Sequence, residues 1–241
     1  MKNPSRIRAL FIDVDDTLVR FKKTGDHAGA DVQNTGSLGE VFENAAVELA
    51  GLSRDEARQR IARIKQEVRW WHWSDFVVEL DLDAKRFWDY AFEAESRYLE
   101  ATGPEIPGVL ARLKKAGYLL YISSNNPSSG ILHKLRVAGL AHNTGSEIFH
   151  QLLGATELHA MKWDALYWKK ALGHTALSAD ECMVIGDNLK DDFEVPAGVG
   201  FAGTFLIRKE GDFPAEPIPK LFPVRDFGEI ESLLIGNPVK T

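Results

Sequence analysis

Cysteine is nearly absent: this chain of 241 residues holds one, Cys182. A lone thiol cannot form an internal disulfide, so the fold must rest on packing, and a reducing compartment is the expected setting. Long apolar runs are missing too. None approaches the ~18 residues that a membrane-spanning helix needs, and no membrane partner is expected. Lys2, Arg6 and Arg8 precede a short apolar run, but Asp13 cuts it and no small-residue cleavage site follows. The N-terminus therefore does not read as a signal peptide, and the expected location is cytoplasmic. Positive charge is in deficit: 29 Lys and Arg against 35 Asp and Glu leave a formal net charge of −6. That balance speaks against a general binder of nucleic acid or anionic membranes, while leaving room for a small phosphate site built from a few local cations. The seven histidines show no His-x-x-x-His spacing, so zinc is not expected.

The informative stretch is Ile7–Val19, IRALFIDVDDTLV. Its apolar run reads as a short buried strand. Three acids in four residues follow, Asp13, Asp15 and Asp16, and then Thr17. In a parallel sheet, ligands bind at the C-terminal strand ends. Clustering carboxylates there is costly, because like charges repel and burial disfavours the ionised form. A divalent cation relieves both costs, and Asp13 and Asp15 in a loop could reach a hard cation or a phosphoryl group.

The rest of the chain falls into two parts. Leu18–Lys23 reads as loop, and Thr24–Gly39 as an irregular connection rich in Gly, Asp, Asn and Thr. Helical periodicity follows over Leu38–Ala50, Arg54–Trp70 and Ala84–Glu100, with Ser53/Glu56 as a capping box and Asp83 as a cap. Gly103, Pro104, Pro107 and Gly108 mark a boundary. Beyond it, helices at Gly108–Ala116, Gly130–Ala138, Trp163–Leu172 and Phe227–Leu234 alternate with strands at Tyr118–Ile122, Ile148–Leu153, Cys182–Ile185 and Thr204–Ile207. Such alternation predicts an α/β fold, a parallel sheet covered on both faces. Gly211–Pro223 reads as a surface loop.

Four stretches in order carry a family resemblance. FIDVDDTL is followed by the strand YLLYI running into Ser123, Ser124 and Asn125. Lys162 then precedes a helical stretch, and the strand CMVI leads into Gly186-Asp187-Asn188-Leu189-Lys190-Asp191-Asp192. The chain resembles the haloacid dehalogenase (HAD) superfamily. The resemblance implies a Rossmann-like three-layer parallel-sheet core, residues 1–23 and 103–241, with an inserted helical cap of the C1 type, residues 24–102. Such caps close over the active site and imply small soluble substrates. No known motif matches the stretch from Thr24 to Thr102.

The same resemblance implies a Mg²⁺-dependent phosphatase of a small phosphorylated metabolite, working through an aspartyl-phosphate. Asp13 is then the nucleophile and Asp15 the general acid and base. Dehalogenases of the superfamily lack an acid at the position of Asp15, whereas phosphatases and phosphomutases carry it. Ser124, with Ser123 as the alternative, would bind a phosphoryl oxygen, and Asn125 could add an amide donor. Lys162 would neutralise charge at the nucleophile, with Lys169 and Lys170 as competitors, since Trp163 stands where the family often has Pro. Mg²⁺ would be held by Asp13, the Asp15 carbonyl, Asp187 and one of Asp191 and Asp192; spacing favours Asp192. A phosphomutase and a non-catalytic HAD-like binding or regulatory protein are the alternatives. Trp70, Trp71, His72 and Trp73 could line a substrate pocket or anchor helix packing. The sequence does not indicate an oligomeric state.

Overall fold

Ala9–Ile12 (β1), four buried residues in a row, lies inside a six-stranded parallel sheet. Leu119–Ser124 (β4) flanks it on one side and Cys182–Gly186 (β6) on the other. Beyond β4 lies Gln151–Gly154 (β5), and beyond β6 lie Gly203–Ile207 (β7) and Leu221–Val224 (β8), giving the order β5-β4-β1-β6-β7-β8. The computed structural model describes residues 7–22, 36–67, 73–96, 98–142, 146–208 and 216–236. Register decides where chemistry can gather. Ile12 pairs with Ile122 of β4 and with Ile185 of β6, so the C-terminal ends of the three central strands lie level.

Both faces of the sheet are covered, which is why its strands read as continuous apolar runs. On one face Leu10, Ile12, Leu120, Ile122, Met183 and Ile185 share a core with residues of three helices, Ile106–Lys115 (α5), Ser128–Val137 (α6) and Phe227–Ile235 (α10). On the other, Ala9, Phe11, Tyr121 and Val184 pack with Leu158 of Ala155–Leu158 (α7), Tyr167 and Trp168 of Ala165–Gly173 (α8), Val195 and Val199 of Val195–Val199 (α9) and with Phe201. Phe11 stacks on Tyr121 at 5.1 Å between ring centroids and meets Phe201 edge-on at 5.3 Å. The result is a three-layer α/β core.

The chain divides into two compact units, residues 1–20 with 100–241, and residues 21–99. The second unit is helical. Gly36–Ala50 (α1), Arg54–Glu67 (α2), Trp73–Glu79 (α3) and Ala84–Ser96 (α4) bury a core of their own, in which Phe42 stacks on Phe76 at 4.6 Å and on Phe87 at 4.9 Å. Ser53 and Glu56 cap α2 reciprocally, with Ser53 N–H donating to Glu56 Oε2 and Glu56 N–H to Ser53 Oγ.

Three expectations need correction. Val19–Phe21, expected as loop, is a strand (β2). It pairs with Leu99–Ala101 (β3), where a helix was expected to run on to Glu100. This pairing joins residues about 80 positions apart and leaves no local periodicity; the Arg20 Nε–Glu100 Oε1 bond of 2.7 Å has a separation of 80. β8 likewise begins inside the expected loop Gly211–Pro223 and runs one residue beyond it. It is an edge strand, where proline such as Pro223 is tolerated. The helix α3 carried no signal that was recognised. Trp70, Trp71 and His72 lie outside the described residues, and Trp73 opens α3.

Candidate active site

Beyond Ile12 the chain leaves β1 in a tight turn. Val14 carbonyl accepts from both Leu18 N–H at 2.8 Å and Val19 N–H at 3.0 Å. Asp16 adopts a left-handed backbone, φ 52°, a conformation that Asp tolerates better than most residues. The Asp13 amide still donates to Ile185 carbonyl at 2.9 Å, so the first residue of the loop is fixed against β6.

Asp13 is buried, and Lys162 Nζ donates to its Oδ1 at 2.5 Å. The same ammonium lies 2.6 Å from Asp192 Oδ1. Trp168 Nε1 holds the Lys162 carbonyl at 2.8 Å, so the first turns of α8 place this lysine. Carboxylate oxygens of Asp13, Asp187 and Asp192 converge within 4.8 Å of one another. Asp192 reaches the cluster from a π-helical turn, Leu189–Glu194, and also accepts from Asn188 N–H at 3.0 Å.

The electrostatics follow from this crowding. Burial pushes the Asp13 carboxyl well above its ordinary range; Lys162 pulls it down, and Asp192, Asp187 and Asp15 push it up again. Burial, then repulsion from Asp192 and Asp16, lifts Asp187 to about 7 against the pull of Lys162 and Arg208. For Lys162, burial favours the neutral form, but Asp13 and Asp192 outweigh it and hold the ammonium well above its usual value. Lys162 contacts Asp13 and Asp192, yet burial and mutual repulsion still hold the Asp13 and Asp187 carboxyls above their ordinary range. Hard anionic oxygens in that arrangement are the donor set that Mg²⁺ takes.

The remaining predicted residues lie around this cluster. Ser124 Oγ is buried and accepts from Asn126 N–H at 3.1 Å and from Asn126 Nδ2 at 3.0 Å, which leaves its own hydrogen for an outside acceptor. Ser123 Oγ is buried and, among the described residues, has no partner, as is true of Thr17 Oγ1. Asn125 is already engaged: Oδ1 accepts from Lys162 N–H at 2.8 Å, and Nδ2 donates to Asp191 Oδ2 at 3.1 Å. Asp191 thus faces Asn125, while Asp192 faces Asp13 and Asp187. The Asp15 carboxylate is not in that trio; it meets Asn126 and Lys134. Lys170 Nζ donates to Leu158 carbonyl instead of entering the cluster.

A family model for haloacid dehalogenase-like hydrolases matches residues 7–200. The chain belongs to this family. A HAD phosphatase from Thermococcus onnurineus superposes with a TM-score of 0.64 at 22% identity, covering 97% of this chain and 100% of that one. A 2-haloacid dehalogenase from Pseudomonas syringae pv. Tomato DC3000 superposes with a TM-score of 0.62 at 18% identity, over 95% and 98%. These likenesses concern the HAD fold, which phosphatase and dehalogenase share. In sequence, the chain is 26% identical to a phosphoglycolate phosphatase of Vibrio cholerae over 113 residues, 47% of this chain. The match spans about half of that relative, 48% of its length.

Three residues of this HAD site went unnoticed in the sequence. Asn126 reads as part of a polar turn and Lys134 as one charge on a helix. Tyr167 reads as core, yet its hydroxyl accepts from Ser124 N–H at 2.9 Å and donates to Leu153 carbonyl at 2.6 Å. No spacing rule singles them out.

Proposed function

We propose that the protein is a Mg²⁺-dependent phosphatase that hydrolyses a small phosphorylated metabolite. The observation that carries this reading is the convergence of Asp13, Asp187 and Asp192 around Lys162, with a second loop carboxylate, Asp15, two residues beyond Asp13. In this reading Asp13 attacks phosphorus and the substrate's alkoxide leaves, forming an aspartyl-phosphate. Asp15 gives the leaving oxygen its proton and then takes one from the water that hydrolyses the acyl phosphate. Ser124, with its free hydrogen, binds a phosphoryl oxygen. Lys162 lies against Asp13 and opposes charge that builds up during transfer. Asp13, the Asp15 carbonyl, Asp187 and Asp192 would hold Mg²⁺, whose charge offsets the clustered carboxylates and the phosphoryl group. Asp15 also supports phosphatase over dehalogenase chemistry, which needs no acid there. We assign substrate choice to the helical unit, residues 21–99, whose separate core lets its surface vary without disturbing the catalytic strand ends.

The test is phosphate release from an aryl phosphate and a panel of phosphorylated metabolites, with and without Mg²⁺, beside Asp13→Asn. Metal-dependent release, lost by at least about a thousandfold in a folded Asp13→Asn, is expected. Wild-type-like turnover in that variant would remove Asp13 as nucleophile. Halide release from 2-haloacids without phosphate release would instead place the protein among the dehalogenases.

A further inference from the structure

Lys134 is a charge in the wrong place for packing alone. It lies on α6, one turn from Ile131 and beside Leu135, both buried in the core beneath the sheet. Its side chain is 6% exposed. Carrying an ammonium into such a setting costs free energy, and a buried ion pair seldom repays that cost in stability. The geometry shows where the charge goes. Lys134 Nζ donates to Asp15 Oδ1 at 2.5 Å and lies 3.4 Å from Asn126 Oδ1. Asn126 Nδ2 in turn donates to Asp15 Oδ2 at 2.5 Å and to Ser124 Oγ at 3.0 Å. Each oxygen of Asp15 is therefore held by a different side chain. The Asp15 side chain remains 45% exposed.

We infer that Lys134 is a positioning residue, which with Asn126 fixes the orientation of the Asp15 carboxylate relative to Ser124 and Asp13. An aspartate has two free side-chain torsions, and a half-exposed one samples several rotamers. A general acid or base must meet its proton within hydrogen-bond reach, so disorder in Asp15 would lower the rate without loosening substrate binding. The role of Asp15 here rests on the phosphatase reading; the restraint of its side chain does not.

The test is a double-mutant cycle with Lys134→Met and Asp15→Asn, read on the aryl phosphate with Mg²⁺. Methionine keeps the length and apolar stem of lysine. Lys134→Met is expected to lower kcat about 10- to 100-fold with KM within about threefold, and to leave the melting temperature unchanged or raised. In the Asp15→Asn background the same substitution is expected to change kcat by less than about threefold, because the group it positions is gone. Equal losses in both backgrounds would overturn the inference and assign Lys134 to the phosphoryl group or to the fold. A crystal structure of Lys134→Met gives a readout free of activity. A displaced or disordered Asp15 carboxylate is expected there, and an unmoved one would overturn the inference. Absence of turnover by the unsubstituted protein would strike the phosphatase reading alone, and the crystal structure would still decide the positioning.

Discussion

The position of Asp192 depends on an absence of atoms next door. A Cβ at Gly186 would overlap the Asp192 carboxyl carbon and one of its oxygens. That carboxylate is fully buried and tied to Lys162 and Asn188, so it has no open side to move to. Glycine at the end of β6 is thus what allows the third acid to join Asp13 and Asp187. Gly186→Ala is expected to weaken Mg²⁺ binding at least about tenfold, since misplaced ligands of a site cost that much. Titration of Mg²⁺ by calorimetry checks it; unchanged affinity would mean that Asp192 is not a ligand. Why Asp192 and not Asp191 faces the cluster follows from the π-helical turn that carries them. Its wider winding changes which side chains share a face, and spacing alone could only favour Asp192.

At the scale of elements, α8 packs on the sheet and is also hydrogen-bonded to it through one hydroxyl. Tyr167 bridges Ser124 N–H on β4 and Leu153 carbonyl on β5, both inside the core. Burial pushes its phenol far above the usual range, so it stays protonated and can donate. Tyr167→Phe takes a hydrogen-bond partner from both backbone groups and is expected to cost about 1–3 kcal/mol in urea unfolding. It should also lower activity, because Ser124 loses its anchor. The elements legible in the sequence were those whose signal is local: β1 and β6 as apolar runs, α5 and α6 as periodic helices ended by Gly117 and Gly139. β2 and β3 were missed because each finds its partner across the whole helical insertion. β8 was missed because Pro223 reads as a breaker unless the strand is known to be an edge. Within the site, Asp13, Lys162, Asp187 and Asp192 could be named because their motifs stand in order. Lys134 could not, since a lysine in an amphipathic helix reads as solvated until the structure places it under Asp15.

At the scale of the molecule, the two units bury separate cores, and the acidic cluster belongs wholly to the unit formed by residues 1–20 and 100–241. Its charge should therefore be read in the stability of that unit and in the affinity for metal. Asp187 carries the usable titration: 3.8 is its ordinary value and about 7 its value in the metal-free fold. Between those limits the folded state binds the proton that the unfolded state has released. Stability of the metal-free protein from this group is thus greatest below about pH 4 and falls as pH rises towards 7, above which the full penalty applies. Magnesium requires the ionised carboxylate, so binding must expel that proton. From Asp187 alone, its apparent affinity should rise about tenfold per pH unit below 7, and the proton that Asp13 gives up adds to the rise. Calorimetric Mg²⁺ titrations at pH 6 and pH 8, in two buffers of different ionisation enthalpy, check this. More protons released per ion are expected at pH 6 than at pH 8, the share of Asp187 falling from about one to almost none, and Mg²⁺ should raise the melting temperature more at pH 8. Proton release that does not change with pH would show that Asp187 is already ionised in the metal-free fold. The repulsion among the three acids would then be balanced by Lys162 and Arg208.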